Sequence, residues 1–227
     1  MPKYEIRERV NGDIIDHLLF YRGITTPEAK EAFLNPNYDN HIHDPFLLKD
    51  AEKAAKRIIS AIENNEKIVI YSDYDADGIP AGVIFHDLFK KIGFENFTNY
   101  IPHRHDEGFG LNTDAVKEFA KDGVQLLITL DCGISDIDAV KLANKKGIDV
   151  IITDHHEPHE ELPPAFAIVD HKQKDCEYPE KILCGSGVGY KLIQAILKLK
   201  RFDLKEGHEK WLLDMVGLAT LSDMVPL

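Results

Sequence analysis

The amino-acid sequence predicts an α/β fold in which helices flank a parallel β-sheet. From Asp50 onward, apolar runs of strand length alternate with longer segments whose apolar residues recur at helical spacing. The runs KIVIY and VQLLITL lack the polar–apolar alternation of half-exposed strands, which indicates burial on both faces. Strand–helix alternation favours right-handed crossovers, and these place parallel strands side by side with helices on both faces of the sheet.

The secondary-structure elements are predicted in a definite order, after an irregular or helical N-terminal lead-in over residues 1–49. Asp50 is expected to cap the first regular helix, AEKAAKRIISAIENN. The next helix is expected to end at Gly93, and the one after it to begin at Asn112 or Thr113. The predicted strands are KIVIY, FTNYI, VQLLITL, IDVIIT and AFAIV, and the helices after the first are IPAGVIFHDLFKKIG, NTDAVKEFAKDG, SDIDAVKLANKKG and GVGYKLIQAILKLKRF.

The composition is that of a globular protein, with 44% hydrophobic and 29% charged residues among 227. The formal net charge of -12 argues against a protein held on nucleic acid by bulk positive charge. Three cysteines without a CxxC pair argue against a disulfide framework or a cysteine-rich zinc site. No apolar run reaches the roughly 20 residues that span a bilayer, and the N-terminus lacks the apolar segment of a signal peptide. We therefore expect a soluble protein of the cytoplasm without a membrane partner.

Polar side chains follow every predicted strand. Parallel strands of an open sheet present their carboxyl ends at one edge, where ligands bind. A single such group is ordinary turn chemistry, but five in succession indicate one site at that edge. The groups, in chain order, are DYDADG from Asp73, HRH around Arg104, Asp131, DHH from Asp154, and Asp170 with His171.

The DYDADG segment indicates a metal site, because clustered like charges are unfavourable unless a cation neutralises them. A plain Asp-rich turn is the alternative interpretation. A calcium EF-hand loop is excluded, because its last ligand position requires Glu and the corresponding residue, counted from Asp73, is Ile84. Carboxylates together with the imidazoles of His155 and His156 suit Mn²⁺ or a similar divalent ion. Two such ions about 3.5–4 Å apart activate water for phosphoester hydrolysis in other proteins.

Four motifs resemble those of a known family. DYDADG, LDCGIS, TDHH and ATLSDMVPL are similar, in this order, to the motifs of the DHH phosphoesterase superfamily. The segments RGITTPEAKEAFLNP, DPFLLKDAEKAAKRI, IPHRHDEGFGLN and LCGSGVGYKLIQAI resemble its RecJ branch, the single-strand-specific exonucleases. The resemblance covers Arg22 to Leu227. It implies a DHH catalytic domain over residues 50–227 and 5′-to-3′ hydrolysis of single-stranded DNA to mononucleotides, in DNA repair and recombination with other repair proteins.

The resemblance also implies two ions, Mn²⁺ or Mg²⁺, and roles for individual residues. The implied metal ligands are Asp75, Asp77, Asp131 as the bridging carboxylate, His155 and Asp223. The implied catalytic residues are His156 at the scissile phosphate, Asp154 orienting a neighbour, and Arg104 gripping a phosphate. Asp73 is left without an assigned role. At the start of the last predicted helix, backbone N–H groups near Ser186 and Gly187 are expected to approach a phosphate, with close helix–sheet packing as the alternative.

The sequence departs from the family pattern at two places. Several relatives carry a His four residues before the first ligand, where this chain has Tyr71, so one metal position would be less fully coordinated. RecJ-like proteins continue into a DHHA1 domain and an OB-fold, whereas this sequence ends at Leu227. We therefore expect a catalytic-domain fragment or an incomplete chain, rather than a natural minimal enzyme, and weak DNA binding by this piece alone.

Two features bear on the substrate. Residues 191–205 are rich in basic side chains, which form either an ordinary solvated face or a path for DNA. Candidates for stacking on bases are Phe109 and Tyr190. The basic residues are Lys191, Lys198, Lys200, Arg201 and Lys205, opposed within the segment by Asp203.

Two other functions compete with the exonuclease prediction. One is a DHH phosphoesterase that acts on short oligonucleotides or small phosphoesters, which the RecJ-like flanking segments disfavour. The other is a non-catalytic DHH scaffold in a replication complex. Loss of metal ligands would mark such a scaffold, yet the implied ligands are all present.

Overall fold

The structure is a computed structural model that describes residues 6–10 and 12–226. Residues 1–5 and 11 of the predicted lead-in, and the last residue of the terminal motif, therefore lie outside the described residues. The chain divides into two compact units, Met1–His43 and Asp44–Leu227. The first contains the short helices α1 (Ile14–Phe20), α2 (Pro27–Leu34) and α3 (Tyr38–His41). The second contains all the strands of the described chain, and it starts a few residues before the predicted boundary at residue 50.

A five-stranded sheet forms the centre of the second unit, and all of its strands are parallel. The strand order is β2-β1-β3-β4-β5, so the order reverses next to β1. Strands β1 and β3 are buried along their whole length, as their largely apolar sequences predict. The α/β fold class is confirmed. The strands are β1 (Ile68–Ser72), β2 (Phe97–Tyr100), β3 (Leu126–Leu130), β4 (Asp149–Thr153) and β5 (Ala167–Val169).

Helices cover both faces of this sheet. On one face α4 and α5 pack against α8, and α9 packs against α5 and α8. On the other face α6 packs against α7 over a core that includes Val69 of β1, Leu127 of β3 and Val150 of β4. The helices are α4 (Ala51–Glu63), α5 (Gly78–Lys91), α6 (Thr113–Lys121), α7 (Ile137–Lys145), α8 (Gly185–Leu199) and α9 (Leu213–Ser222). Among the described residues, every helix falls short of the length or apolarity needed to cross a bilayer.

The predicted helix boundaries at Asn112, Gly93 and Asp50 are right in position, but the capping hydrogen bond expected of Asp50 is absent. Asn112 caps α6, accepting a hydrogen bond from the backbone N–H of Ala115 at 2.7 Å. Gly93 follows the end of α5 with a φ of 74°, a conformation that suits glycine. Asp50 stands at the start of α4, but its carboxylate makes no capping bond. It instead accepts the backbone N–H of Ile168 at 3.1 Å, which ties the start of α4 to β5.

Candidate metal centre

The candidate site lies at the carboxyl edge of the sheet, where hydrogen bonds of the sheet continue one residue past three strands. The backbone N–H of Asp73 donates to the carbonyl of Leu130 at 3.2 Å, and the N–H of Asp131 donates to Thr153 at 2.9 Å. The N–H of Asp154 donates to Val169 at 3.2 Å. Because each acidic residue is the first one after its strand, the three carboxyl groups are fixed at one edge.

Asp75 and Asp77 occupy the turn between β1 and α5. One carboxylate oxygen of Asp75 accepts the backbone N–H groups of Asp77 at 2.8 Å and Gly78 at 2.9 Å. These two bonds close the turn and leave the second oxygen of Asp75 for a ligand. An Asx-type turn of this kind explains why aspartate, with its short side chain, recurs in this segment.

The N-terminus of α8 holds the Asp77 carboxylate. The N–H of Gly185 donates to Asp77 Oδ2 at 2.5 Å, the N–H of Ser186 to Oδ1 at 2.7 Å, and the Ser186 hydroxyl to the Asp77 carbonyl at 2.6 Å. The N–H of Gly187 donates to Cys184 Sγ at 3.4 Å. The helix N-terminus therefore receives a carboxylate of the protein itself. Ser186 and Gly187 are buried, and their N–H groups donate to Asp77 and to Cys184 Sγ respectively, so their contact with a substrate phosphate stays a prediction.

Asp131 is the most constrained carboxyl group of the site. It adopts a left-handed conformation with a φ of 62° and is 2% exposed. Burial, together with the negative charges of Asp77 and Asp75, raises the pKa of Asp131 to about 10. A Cβ at Gly185 would overlap the Asp131 carboxylate, so only glycine fits there. Asp131 Oδ1 is buried and has no hydrogen-bond partner among the described residues.

His155 lies between the acidic residues. Its Nε2 is 3.2 Å from Asp131 Oδ1 and 3.7 Å from Asp77 Oδ2. Its Nδ1 is 3.8 Å from Asp223 Oδ2, at the C-terminal end of α9. A single imidazole therefore joins acids from three separate elements.

The His156 ring lies against the His155 ring, with ring centres 4.6 Å apart, and bonds to Asp154. Its Nδ1 is 2.7 Å from Asp154 Oδ1, and since an ionised carboxylate can only accept, Nδ1 carries the proton. This hydrogen bond raises the pKa of His156 to about 9. Burial opposes ionisation of Asp154, but the bonds from His156 and from the N–H of Ile134 hold the pKa of Asp154 below its usual value. Asp154 therefore orients the imidazole of His156, which is half exposed at the mouth of the site.

The donor set fits divalent cations. Carboxylates and imidazole are the ligands that Mn²⁺ and similar ions prefer. Asp131 Oδ1 is an orphaned, buried acceptor, as expected of an oxygen that a cation would satisfy. The described residues contain two separate groups of three potential ligands, each with its donor atoms within 4.8 Å of one another, and a third group that overlaps both. The separate groups are Asp77, His155 and Asp223, and Asp73, Asp75 and Asp131; the overlapping group is Asp131, His155 and His156.

Comparison with known proteins identifies the family. A sequence profile of the DHH family, N-terminal domain, matches residues 67–220. The chain belongs to the DHH family. It is 43% identical over 215 residues to the single-stranded-DNA-specific exonuclease RecJ of Bacillus subtilis (strain 168), which covers 94% of this chain and 26% of that protein. The RecJ protein of Haemophilus influenzae is 35% identical over 228 residues, covering 96% of this chain and 38% of that protein.

The fold of this DHH chain is also that of a solved RecJ structure. A crystal structure of exonuclease RecJ bound to manganese matches with a TM-score of 0.71 and 30% identity, over 79% of this chain and 44% of that one. The resemblance expected from the motifs is thus confirmed. This chain spans only 26% and 38% of the two curated relatives, so it corresponds to part of their length.

Arg104 and Phe109 form a wall beside the DHH acids. The Arg104 guanidinium lies 5.0 Å from the centre of the Tyr74 ring, and the Phe109 ring lies 4.9 Å from the same ring. Phe109 is 72% exposed, as a residue that stacks on a substrate base must be. A cavity of about 390 Å³ is lined by Phe109 and by several site residues: Asp73, Asp75, Asp131, Asp154 and His156.

Asp73 is the site residue that the motif comparison left unassigned. It is 6% exposed, and its donor atom groups with those of Asp75 and Asp131. Burial raises the pKa of Asp73. Its alternation with Asp75 and its position one residue after β1 were the available signals, because Asp131 and Asp154, in the same position after β3 and β4, also reach the site.

Other predicted residues lie away from the site. Tyr190 is 3% exposed within α8, so its predicted stacking on bases is wrong. Asp170 and His171 follow β5 but are fully buried, and neither occurs in a metal-ligand group of the described residues. Much of the basic segment is paired with acids, which favours the solvated-face interpretation over a DNA path. The ion pairs are Lys198 with Asp44, Lys200 with Glu63 and Arg201 with Glu209.

Proposed function

We propose that this DHH domain hydrolyses phosphodiester bonds of single-stranded DNA with two divalent ions, Mn²⁺ or Mg²⁺. We further propose that it acts as a 5′-to-3′ exonuclease that releases mononucleotides, in cytoplasmic DNA repair and recombination with other repair proteins. The RecJ names of its relatives support the substrate and the reaction class. The proposal applies this activity to a chain that spans only part of the length of those relatives.

One observation carries the proposal: two separate ligand triplets lie at one sheet edge, and one of their oxygens, Asp131 Oδ1, is buried without a hydrogen-bond partner among the described residues. A purely structural role would not require six acids and imidazoles to face one another, because the repulsion between the like charges destabilises the fold. A non-catalytic scaffold has no need of intact ligands, so the retained set disfavours that alternative.

The residues of the chain would divide the work as follows. Bound ions supply an activated water and neutralise charge on the scissile phosphate and leaving oxygen. We assign the ion contacts to Asp75, Asp77, Asp131, His155 and Asp223. The other residues act on the substrate itself. His156, oriented by Asp154, presents Nε2 to the phosphate, and Arg104 offers a planar donor fork to a neighbouring phosphate.

Substitution of a ligand tests the chemistry. Asp77→Ala and His156→Ala are expected to abolish Mn²⁺-dependent cleavage of a labelled single strand, because one loses an ion contact and the other a phosphate contact. The matched controls are Asp122→Ala and His159→Ala, which remove exposed side chains outside the ligand groups. Circular dichroism checks that all four variants fold. Full activity of either site variant would refute the assignment.

The substrate class and polarity need a second measurement. Strands labelled at the 3′ end should shorten progressively, and strands labelled at the 5′ end should release labelled mononucleotide at once. A preference for dinucleotides over long strands would instead favour the small-phosphoester alternative. Calorimetry without detectable Mn²⁺ binding would support the scaffold. Because the net charge is -12, low salt and excess protein are required to bind the strand.

A further inference from the structure

The loop between β2 and α6 carries the wall of the site. This loop, residues 101–112, holds Arg104 and Phe109 against Tyr74, directly beside the acidic cluster. Arg104 and Phe109 are exposed, and neither belongs to the buried core on this face of the sheet. Their placement therefore depends on how the rest of the loop is anchored.

Glu107 is the centre of that anchor. Its Oε1 accepts the Tyr100 hydroxyl at 2.6 Å and the Asn112 side-chain N–H at 2.8 Å, and its Oε2 accepts the His103 backbone N–H at 2.7 Å. Three donors from the start, middle and end of the connection thus meet one carboxylate. Partial burial opposes its ionisation, but these hydrogen bonds keep the pKa of Glu107 below its usual value.

Tyr71 joins this network to the sheet. Its ring is fully buried in the core beside α6 and stacks on Tyr100, with ring centres 5.3 Å apart. Its hydroxyl donates to the Gly110 carbonyl at 2.7 Å and lies 3.3 Å from the Asn112 side-chain N–H. Gly110 follows Phe109 directly, so the hydroxyl fixes the backbone next to the exposed ring. Engaged with Gly110, the hydroxyl serves the loop rather than an ion.

A second contact holds the same stretch of backbone. The N–H of Leu111 donates to Asp136 Oδ2 at 2.7 Å, and a Cβ at Gly110 would lie 2.7 Å from that carboxylate. Gly110 has a φ of 78°, which favours glycine. The backbone of the loop is therefore held in place at Gly110 by Tyr71 and at Leu111 by Asp136.

We propose that Tyr71 is a positioning residue for the nucleic-acid strand, acting through the 101–112 loop rather than through an ion. With Glu107 and Asn112, it holds Arg104 and Phe109 where they meet the phosphate and base next to the scissile bond. The inference rests on the proposed function for the identity of the substrate, but the anchoring of the loop can be tested without it. It predicts that loss of the hydroxyl weakens strand binding and leaves metal binding intact.

Tyr71→Phe removes only the hydroxyl and keeps the ring in the core. We expect KM for a single strand to rise about fivefold to tenfold, as for the loss of one or two hydrogen bonds, with kcat and the Mn²⁺ dissociation constant unchanged. Tyr178→Phe is the matched control, because it removes the hydroxyl of a tyrosine that is 2% exposed and outside the loop network. An unchanged KM in Tyr71→Phe, or a parallel loss of Mn²⁺ affinity, would overturn the proposal.

Hydrogen exchange tests the anchor independently of catalysis. In Tyr71→Phe the amides of His103, Glu107 and Leu111 should exchange faster, while those of β3 stay protected, because the loop alone is released. Asn112→Asp should do the same: it keeps the capping oxygen of α6 but replaces the donor to Glu107 by an acceptor. Unchanged loop exchange in both variants would refute the anchor. If the parent chain cleaves no single strand, the proposed function is refuted. The exchange rates still show whether Tyr71 and Asn112 hold the 101–112 loop in place.

Discussion

Asp77 and Asp131 are neighbouring buried carboxyl groups that differ in the hydrogen bonds they receive. Asp77 receives two backbone N–H groups from the N-terminus of α8, where the helix dipole favours negative charge. Asp131 receives no such donor at its Oδ1, and burial and its acidic neighbours raise its pKa to about 10. The chain therefore fixes the Asp77 carboxylate with its own backbone, whereas Asp131 Oδ1 is left without a hydrogen-bond partner among the described residues.

Gly185 connects these two residues, so its substitution should impair both. In Gly185→Ala the new Cβ would overlap the Asp131 carboxylate, while the N–H that binds Asp77 would shift with the helix start. We expect Mn²⁺ affinity to fall about 10–100-fold, as when a metal ligand loses its supporting contact. Titration calorimetry measures this directly.

Gly217→Ala is the control for that substitution. Gly217 lies within α9, and a Cβ there would meet nothing within 4 Å. The variant should keep its Mn²⁺ affinity and gain about 0.5–1 kcal/mol of stability, because alanine loses less backbone entropy in a helix than glycine. Equal Mn²⁺ affinities in the two variants would contradict the role assigned to Gly185.

Lys191 gives a pH dependence of stability outside the metal centre. It is 5% exposed in α8, donates to the side chain of Gln194 at 2.7 Å and lies over the Tyr178 ring. Burial lowers the pKa of Lys191 to about 8, from about 10.4 in an unfolded chain. Below pH 8 both states hold the proton and the cost of burying the charge is complete. Between about pH 8 and 10.4 the unfolded state binds more protons, so this contribution makes stability rise with pH.

Lys191→Met should therefore be more stable than the parent chain at pH 7, by about 2–3 kcal/mol at most. The difference should shrink as the pH rises toward about 10. Urea unfolding of both chains at several pH values isolates the residue, because other titrating groups are shared. A difference that does not depend on pH would show that Lys191 stays charged or neutral throughout.

At the scale of elements, the strands were predictable and one helix was not. Runs such as LLITL carry apolar residues at every position except Thr129, and a strand covered on both faces accommodates them at that length. Helix α9 (LDMVGLATLS) was missed because its apolar residues surround the helix and show no periodic face, and Leu218 and Leu221 are in fact exposed. The capping bond of Asp50 is absent for another reason: its carboxylate accepts the backbone N–H of Ile168 in β5 instead of an N–H at the helix start.

The candidate site was predictable where chemistry follows strand ends and unpredictable where it depends on helix packing. The order of motifs located the acids and imidazoles, but only the structure places the start of α8 on Asp77. Sequence spacing between Asp77 and Gly185 carries no sign of that contact. The burial of Tyr190 is similar, because even polar positions of α8 such as Lys191 are buried by the packing of neighbouring helices, which sequence alone does not show.

At the scale of the whole molecule, five of the 39 Asp and Glu residues are concentrated in the ligand groups at one sheet edge. Because the ligand groups are held together by the fold, their repulsion destabilises the protein until cations bind, and binding returns that free energy. Function and stability are therefore opposed at Asp131. A variant without this carboxylate should be more stable than the parent in chelator and should respond less to metal.

Asp131→Asn tests this opposition. In chelator its melting temperature should exceed that of the parent, because an amide relieves the contact with the acidic cluster. With free Mn²⁺ at about 100 times its dissociation constant, the parent should gain about 3 kcal/mol, or roughly 5–10 °C for a chain of this size, and the variant much less. The two melting curves should thus cross as Mn²⁺ is added. Parallel curves would show that Asp131 binds no ion, and a parent curve unaffected by Mn²⁺ would remove the metal from the site altogether.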